Sequence, residues 1–283
     1  MDCPTILQQA VDRRASDIFI VAGTPLTIKI NGEMVQLDDQ RLTPAMTEAL
    51  IQEIFKLSQN RTMDRLHQTG EDDFSFSLSQ MGRFRVNVYR QRGSLAAVLR
   101  VVRFVLPDAN ELHIGPEILS FSELKKGLVL ITGAAGSGKS TTLACLIDAI
   151  NHSRSGHIIT IEDPIEVLHR HQKSIVSQRE IGQDTPDYIH ALTAALREAP
   201  DVILVGEMRD LETMQTVLSA AETGHLVFSS LHTTGAANTI NRIIDVFPAE
   251  KQQQIRVQLS MVLQAIVSQQ LIPAVGGGLI PAF

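Results

Sequence analysis

Cysteine is scarce in this chain of 283 residues. Only Cys3 and Cys145 occur, with no CxxC pair, which argues against both a disulfide scaffold and a cysteine zinc site. Long apolar runs are absent too. No segment approaches the roughly 18 consecutive apolar residues of a membrane-spanning helix. The N-terminus has no positively charged start followed by an apolar run, so no signal peptide is expected. A basic excess is missing: 25 basic residues face 31 acidic ones, for a formal charge of −6. That balance argues against a nucleic-acid partner, which would favour a basic face. There are no internal repeats and no low-complexity segment. What is present is a chain with 44% hydrophobic residues, long enough for two domains with a substantial core. It reads as soluble and cytoplasmic.

Two rhythms divide it. Residues 4–14 predict a short helix with Ile6, Leu7 and Val11 on one side, and "SDIFIVAG" a strand. Asn31-Gly32 lies between alternating apolar arms, a strong hairpin signal. Thr43 and Pro44 open a helix as N-cap and first helical residue. In "GRFRVNVYR", Phe84, Val86 and Val88 point one way, and Arg83, Arg85 and Asn87 the other. Gln91-Arg92-Gly93 turns into "LAAVLRVVRF". Residues 1 to about 105 therefore predict a small mixed α/β domain with an antiparallel sheet. "LPDANELHIGPE", residues 106–117, reads as a linker. From 118 onward, buried strands at 127–132, 157–161, 202–205 and 226–230 alternate with helices at 186–198 and 211–223. That is the pattern of a largely parallel sheet. A last long helix is expected after Pro248, with Ile255, Leu259, Val262 and Ile266 on one stripe. The closing "GGGLIPAF" looks like a strand just beginning, as in a truncated chain.

The most specific motif is "LVLITGAAGSGKSTT". Gly133, Gly138, Lys139 and Ser140 satisfy GxxxxGK[ST] between an apolar strand and a helix. Gly133, Gly136, Ser137, Gly138, Lys139, Ser140 and Thr141 are the candidate nucleotide-binding residues. The glycines let backbone N–H groups point inward around a phosphate, and the helix N-terminus adds partial positive charge. Lys139 would reach the β- and γ-phosphates of ATP, and the Ser140 hydroxyl would ligate Mg²⁺. Cys145, a little further along the same helix, reads as a small core residue.

Partner acids are expected at the carboxyl ends of strands. One strand ends in Glu162-Asp163, with Glu166 following. The other, "VILVGEMRD", carries Gly206 where P-loop enzymes commonly place a metal-binding Asp. Gly206 leaves room, and Glu207 is the first side chain able to reach the metal, directly or through water, or to orient the attacking water. His225 and His232 flank the next strand and are read as hydrogen-bonding sensors of the γ-phosphate. A two-histidine metal site lacks an evident third ligand.

Together, "GAAGSGKST", "ITIEDPIEVLH", "VILVGEMRD" and "TGHLVFSSLHTTGAANTINRI" resemble the Walker A, aspartate, Walker B and histidine boxes of the secretion-ATPase superfamily. Within it, the chain resembles the type IV pilus retraction ATPases, the PilT family, over nearly its whole length. The resemblance implies an N-terminal PAS-like α/β domain and a RecA-like P-loop ATPase core from 118 to 283. It implies a homo-hexameric, Mg²⁺-dependent motor that drives retraction and twitching motility at the cytoplasmic side of an inner-membrane pilus platform protein. It also implies reliance on groups equivalent to Glu162 and Glu207, and on arginines of the N-terminal sheet, assigned here to Arg85 and Arg100. Extension and type II secretion members carry a four-cysteine zinc module, which is absent here. C-terminal helices required for retraction in the family are expected after residue 283. The rival readings are another secretion or conjugation ATPase, a RecA-like nucleic-acid motor, and a nucleotide-dependent switch with negligible turnover.

Overall fold

A computed structural model describes residues 2–59, 61–79, 81–102, 106, 108–275 and 278–283. It falls into two compact units, Met1–Phe104 and Val105–Phe283.

The first unit contains α1 (Cys3–Asp12), β1 (Asp17–Ile20), β2 (Pro25–Ile30), β3 (Glu33–Arg41), α2 (Pro44–Leu57), α3 (Asp64–Thr69), β4 (Glu71–Leu78), β5 (Gly82–Gln91) and β6 (Ser94–Val102). Its sheet runs β3-β2-β1-β6-β5-β4, antiparallel throughout. Asn31 and Gly32 both adopt positive φ, 51° and 88°, as a two-residue turn matched to strand twist requires. Thr43 caps α2 by accepting from the Met46 amide. The alternation of β5 is realised: Phe84, Val86 and Val88 are buried, while Arg85 is exposed. Ile51, Ile54 and Phe55 of α2 belong to the same core. Arg85 and Arg100 stand opposite one another on β5 and β6. The adjacent like charges are partly offset, because Arg100 Nε donates to Asp17 Oδ1 at 3.1 Å. The part of the last expected strand at 103–105 lies outside the described residues.

The second unit contains α4 (Pro116–Leu119), β7 (Gly127–Thr132), α5 (Lys139–Ser153), β8 (His157–Glu162), β9 (Ile175–Glu180), α6 (Tyr188–Ala195), β10 (Val202–Val205), α7 (Leu211–Glu222), β11 (Leu226–Leu231), α8 (Ala236–Asp245), α9 (Ala249–Val262), β12 (Leu263–Ser268), β13 (Gln270–Pro273) and β14 (Leu279–Ala282). Its main sheet runs β12-β7-β11-β10-β8-β9 and is wholly parallel. Every residue of β7 and β11 is buried, because helices cover both faces. Leu128 and Leu130 join the cluster containing Leu192, Val217 and Ile243, whereas Val129 and Ile131 join the one containing Leu146, Ile147 and Ile150. Cys145 is buried in the latter cluster, where burial pushes its thiol up to about 11.

The structure revises several expectations. The helix expected at 186–198 runs only from Tyr188 to Ala195, and Asp187 sets its start by accepting from the His190 amide. The last long helix stops at Val262, and Ile266 lies in β12. Its apolar spacing continues the helical stripe, but pairing with β7 overrides it. β9 has no counterpart in the sequence reading. Leu106, Ala109, Leu112 and Ile114, within the segment expected as a linker, pack against the cluster on the α5 side of the sheet. The final strand, β14, pairs with β13.

Candidate active site

Residues 133–138 connect β7 to α5 and form the floor of the site. Gly133 cannot carry a side chain: a Cβ there would lie 2.2 Å from the Gln269 carbonyl oxygen. Gln269 is buried beneath the loop. Its amide donates to Thr132 O at 2.7 Å, and its Oε1 accepts from Thr142 Oγ1 at 2.9 Å. Lys139 is 7% exposed, and its Nζ donates to the Gly133 and Ala134 carbonyls at 2.9 Å each. Burial lowers its pKa, and the carboxylates of Glu207 and Glu166 oppose that shift. The ammonium thus stays within reach of the loop that a phosphate would occupy.

An open cleft of about 540 Å³ lies beside this floor. The loop contributes Gly136, Ser137, Gly138, Lys139, Ser140 and Thr141 to its lining, and the ends of β8 and β10 contribute Glu162 and Glu207. His232, one residue past β11, lines it as well. These side chains meet because parallel strands deliver all their carboxyl ends to one edge of the sheet.

Glu207 is 8% exposed and pairs with Arg209. Its Oε2 lies 3.3 Å from His232 Nε2 without hydrogen-bonding geometry, and it has no other partner among the described residues. Ser137 Oγ is likewise buried and unpartnered. Buried polar atoms are ordinarily satisfied, so these two mark a place where a polar ligand belongs. Glu162 accepts from Thr160 Oγ1 at 2.7 Å and from Gln178 Nε2 at 3.3 Å. Burial raises its pKa, and those two hydrogen bonds pull it back down.

Gly206 has a more specific reason than spare room beside the loop. A Cβ there would approach the Tyr188 hydroxyl at 3.1 Å and the Ile161 carbonyl at 3.3 Å. Tyr188 lines the cleft; burial and the nearby carboxylates of Glu207 and Asp163 raise the pKa of its phenol. Tyr188, Gln178 and Gln269 were not legible as site residues, because each belongs to a segment brought in by the fold rather than to a motif, whereas His169 closes the quoted box "ITIEDPIEVLH" and was passed over.

Two sequence-based expectations separate here. His232 joins the cleft. His225 does not: it precedes β11 at the opposite edge of the sheet, where its Nδ1 lies 3.0 Å from the Ala220 carbonyl and 3.2 Å from Thr223 Oγ1. Six strand residues intervene, about 20 Å of rise. A sensor role for His225 in this cleft is therefore corrected to a turn-closing one. Arg85 and Arg100 belong to the first unit, on β5 and β6.

The donor set fits Mg²⁺ bound chiefly through phosphate and water. Ser140 and Glu207 are the residues suited to hold it, and no cluster of three acidic, histidine or cysteine side chains converges among the described residues. No described helix is long and apolar enough to cross a membrane.

Comparison with known proteins places these features in context. Residues 2–276 match the family described as type II/IV secretion system protein. The chain is 45% identical over 282 residues to the "Type IV pilus retractation ATPase PilT" of Pseudomonas aeruginosa, covering all of this chain and 81% of that one. It is 44% identical over 263 residues to a "Twitching motility protein" of Neisseria gonorrhoeae, covering 93% and 69% respectively. The crystal structure of the pilus retraction motor PilT with bound ADP superposes with a TM-score of 0.90 at 49% identity, covering all of this chain and 82% of that one.

Proposed function

The chain belongs to the type II/IV secretion system protein family, and from that premise we propose that it is an ATP-hydrolysing motor of type IV pilus retraction. The observation that carries the chemistry is the convergence of Lys139, Glu162, Glu207 and His232 on one cleft beside the glycine loop. The likeness to retraction motors carries the biological role.

Lys139 exchanges its two carbonyl partners for the β- and γ-phosphates of ATP, a change its flexible stem permits. The backbone N–H groups of the loop and the N-terminus of α5 hold the same phosphates. The Ser140 hydroxyl and Glu207, directly or through water, would hold Mg²⁺, which would supply positive charge to the phosphates when bound. Glu207 and Glu162 orient the attacking water, and one of them accepts its proton. His232 reports the γ-phosphate through its ring nitrogen. Arg85 and Arg100 of a neighbouring subunit balance the charge that develops on the transferring phosphoryl group. The working form on this reading is a homo-hexamer, cytoplasmic and docked on an inner-membrane platform protein, with no nucleic-acid partner.

The test is genetic and optical. Deleting the gene in its host and imaging labelled pili should leave pili on the surface that extend but no longer retract. Loss of surface pili would assign the chain to extension instead. Normal retraction would remove the proposal, provided no second retraction motor is present.

A further inference from the structure

β9 is an edge strand of the parallel sheet, beside β8, and two of its side chains hold the segment that follows β8. Glu180 Oε2 accepts from the Ile165 amide at 3.0 Å. Gln178 makes three such contacts. Its Oε1 accepts from the His169 amide at 2.7 Å, and its Nε2 donates to the Val167 carbonyl at 2.8 Å and to Glu162 Oε1 at 3.3 Å. The partners fix the amide's orientation. Only its oxygen can receive a backbone N–H, and only its NH₂ can serve a carbonyl and a carboxylate. Thr160 is paired with Gln178 in the strand register and donates to the same carboxylate oxygen, Glu162 Oε1, at 2.7 Å. Both donors therefore occupy one oxygen. Glu162 Oε2 takes no hydrogen bond among the described residues.

We propose that Gln178 is a positioning residue for ATP hydrolysis: it ties Glu162 by Oε1 to the 163–169 segment and leaves Oε2 to accept the proton of the attacking water. This rests on the reading of Glu162 as the group that acts on water. In that step a water O–H bond breaks and its proton passes to Oε2. The water oxygen bonds to the γ-phosphorus, and the bond from that phosphorus to the bridging oxygen breaks with its electron pair leaving on ADP. A carboxylate free to rotate would present either oxygen, or neither, in line. The two donors on Oε1 remove that freedom before substrate arrives, which is pre-organisation of the reacting group.

A tie that only supports the loop would make a different prediction, and a double-mutant cycle separates the two. Steady-state phosphate release is measured for wild type, Gln178→Leu, Gln178→Glu, Glu162→Gln and the Gln178→Leu/Glu162→Gln pair, with the affinity of a non-hydrolysable ATP analogue measured alongside. Gln178→Glu keeps an oxygen for the His169 amide but replaces the donor to Glu162, so it decides the matter if Gln178→Leu melts early. Each Gln178 substitution should lower kcat about tenfold, with KM and analogue affinity within about twofold. In the Glu162→Gln background, Gln178→Leu should cost less than about twofold. An equal loss in both backgrounds, a rise in KM without a fall in kcat, or wild-type turnover of both Gln178 variants would overturn the proposal. Wild-type turnover of Glu162→Gln alone would instead remove the role of Glu162. That failure is visible before any Gln178 variant is made, and it takes this proposal with it.

Discussion

His225 and His232 stand seven positions apart, one at each end of β11, and their surroundings differ in kind. At the amino end of the sheet both histidines, His225 and His157, have internal partners. His225 closes a turn on Ala220 and Thr223. His157 contacts the Glu198 carbonyl at 2.8 Å and Ser177 Oγ at 2.9 Å through its ring, and its amide donates to Asp201. At the carboxyl end the accounting stays open. Glu207 Oε2 and Ser137 Oγ are buried without a hydrogen-bond partner among the described residues, and Lys139 is held by two loop carbonyls. The same residue types thus serve architecture at one end and a ligand at the other. What separates them is whether the fold itself completes their hydrogen bonding.

The sharpest challenge to this contrast is Lys139→Ala. It should abolish measurable hydrolysis and greatly weaken binding of a fluorescent ATP analogue, because the point charge on the β- and γ-phosphates is gone. Near-normal activity of the folded variant would mean that the carboxyl end is not the site. The next largest effect concerns the arginines proposed to come from a neighbouring subunit, since Arg209 of the cleft is already paired with Glu207. An arginine supplied from a neighbouring subunit is worth about 10³–10⁵ in rate in P-loop enzymes. Arg85→Ala should approach that loss while leaving nucleotide affinity intact, and wild-type activity per subunit should rise with protein concentration as rings form. Arg100→Ala is the less clean variant, because it also strips the largely buried Asp17 of its ion-pair partner and leaves it only the Ser16 hydroxyl among the described residues. Sedimentation and ATPase assays on one dilution series decide the point: a fully active monomer indifferent to both arginines would defeat it.

Glu207→Gln and Glu162→Gln should each lose about two decades of turnover while keeping most ATP affinity. If binding falls together with turnover, the acids hold the nucleotide rather than the water. The smallest effects come from the histidines themselves. His232→Ala should lower turnover about tenfold with little change in thermal melting. His225→Ala should leave turnover within about twofold and lower the melting temperature by about 2–4 °C, the scale of one lost hydrogen bond in a unit of this size. Exchange of those two outcomes would break the comparison outright.

Much of this was readable in advance. The phosphate loop is contiguous, so its glycines, Lys139 and Ser140 carry their meaning in local spacing. The alternation of β5 is equally local. β9 and β12 were not readable. Ile175–Glu180 is largely polar at a sheet edge, and Leu263–Ser268 prolongs the stripe of the helix before it. Both become strands through pairing with partners distant in the chain. The two histidines were read as flanking one strand and yet given one role, although only the carboxyl end of a parallel strand faces the ligand edge.

By itself, the sequence determined that a P-loop lies between a buried strand and a helix, that two acid-bearing strands follow it, and that an antiparallel sheet with an arginine face precedes it. Short-range sterics and side-chain periodicity suffice for each of these. The tertiary structure alone decided that His225 closes a turn on Ala220 and Thr223, and that Tyr188 fills the space beside Gly206. It alone decided that Gln178 and Gln269 reach the site from β9 and from the residue just past β12. Those placements depend on which strands pair and in what direction, a choice made by long-range hydrogen bonding and by the burial of both sheet faces.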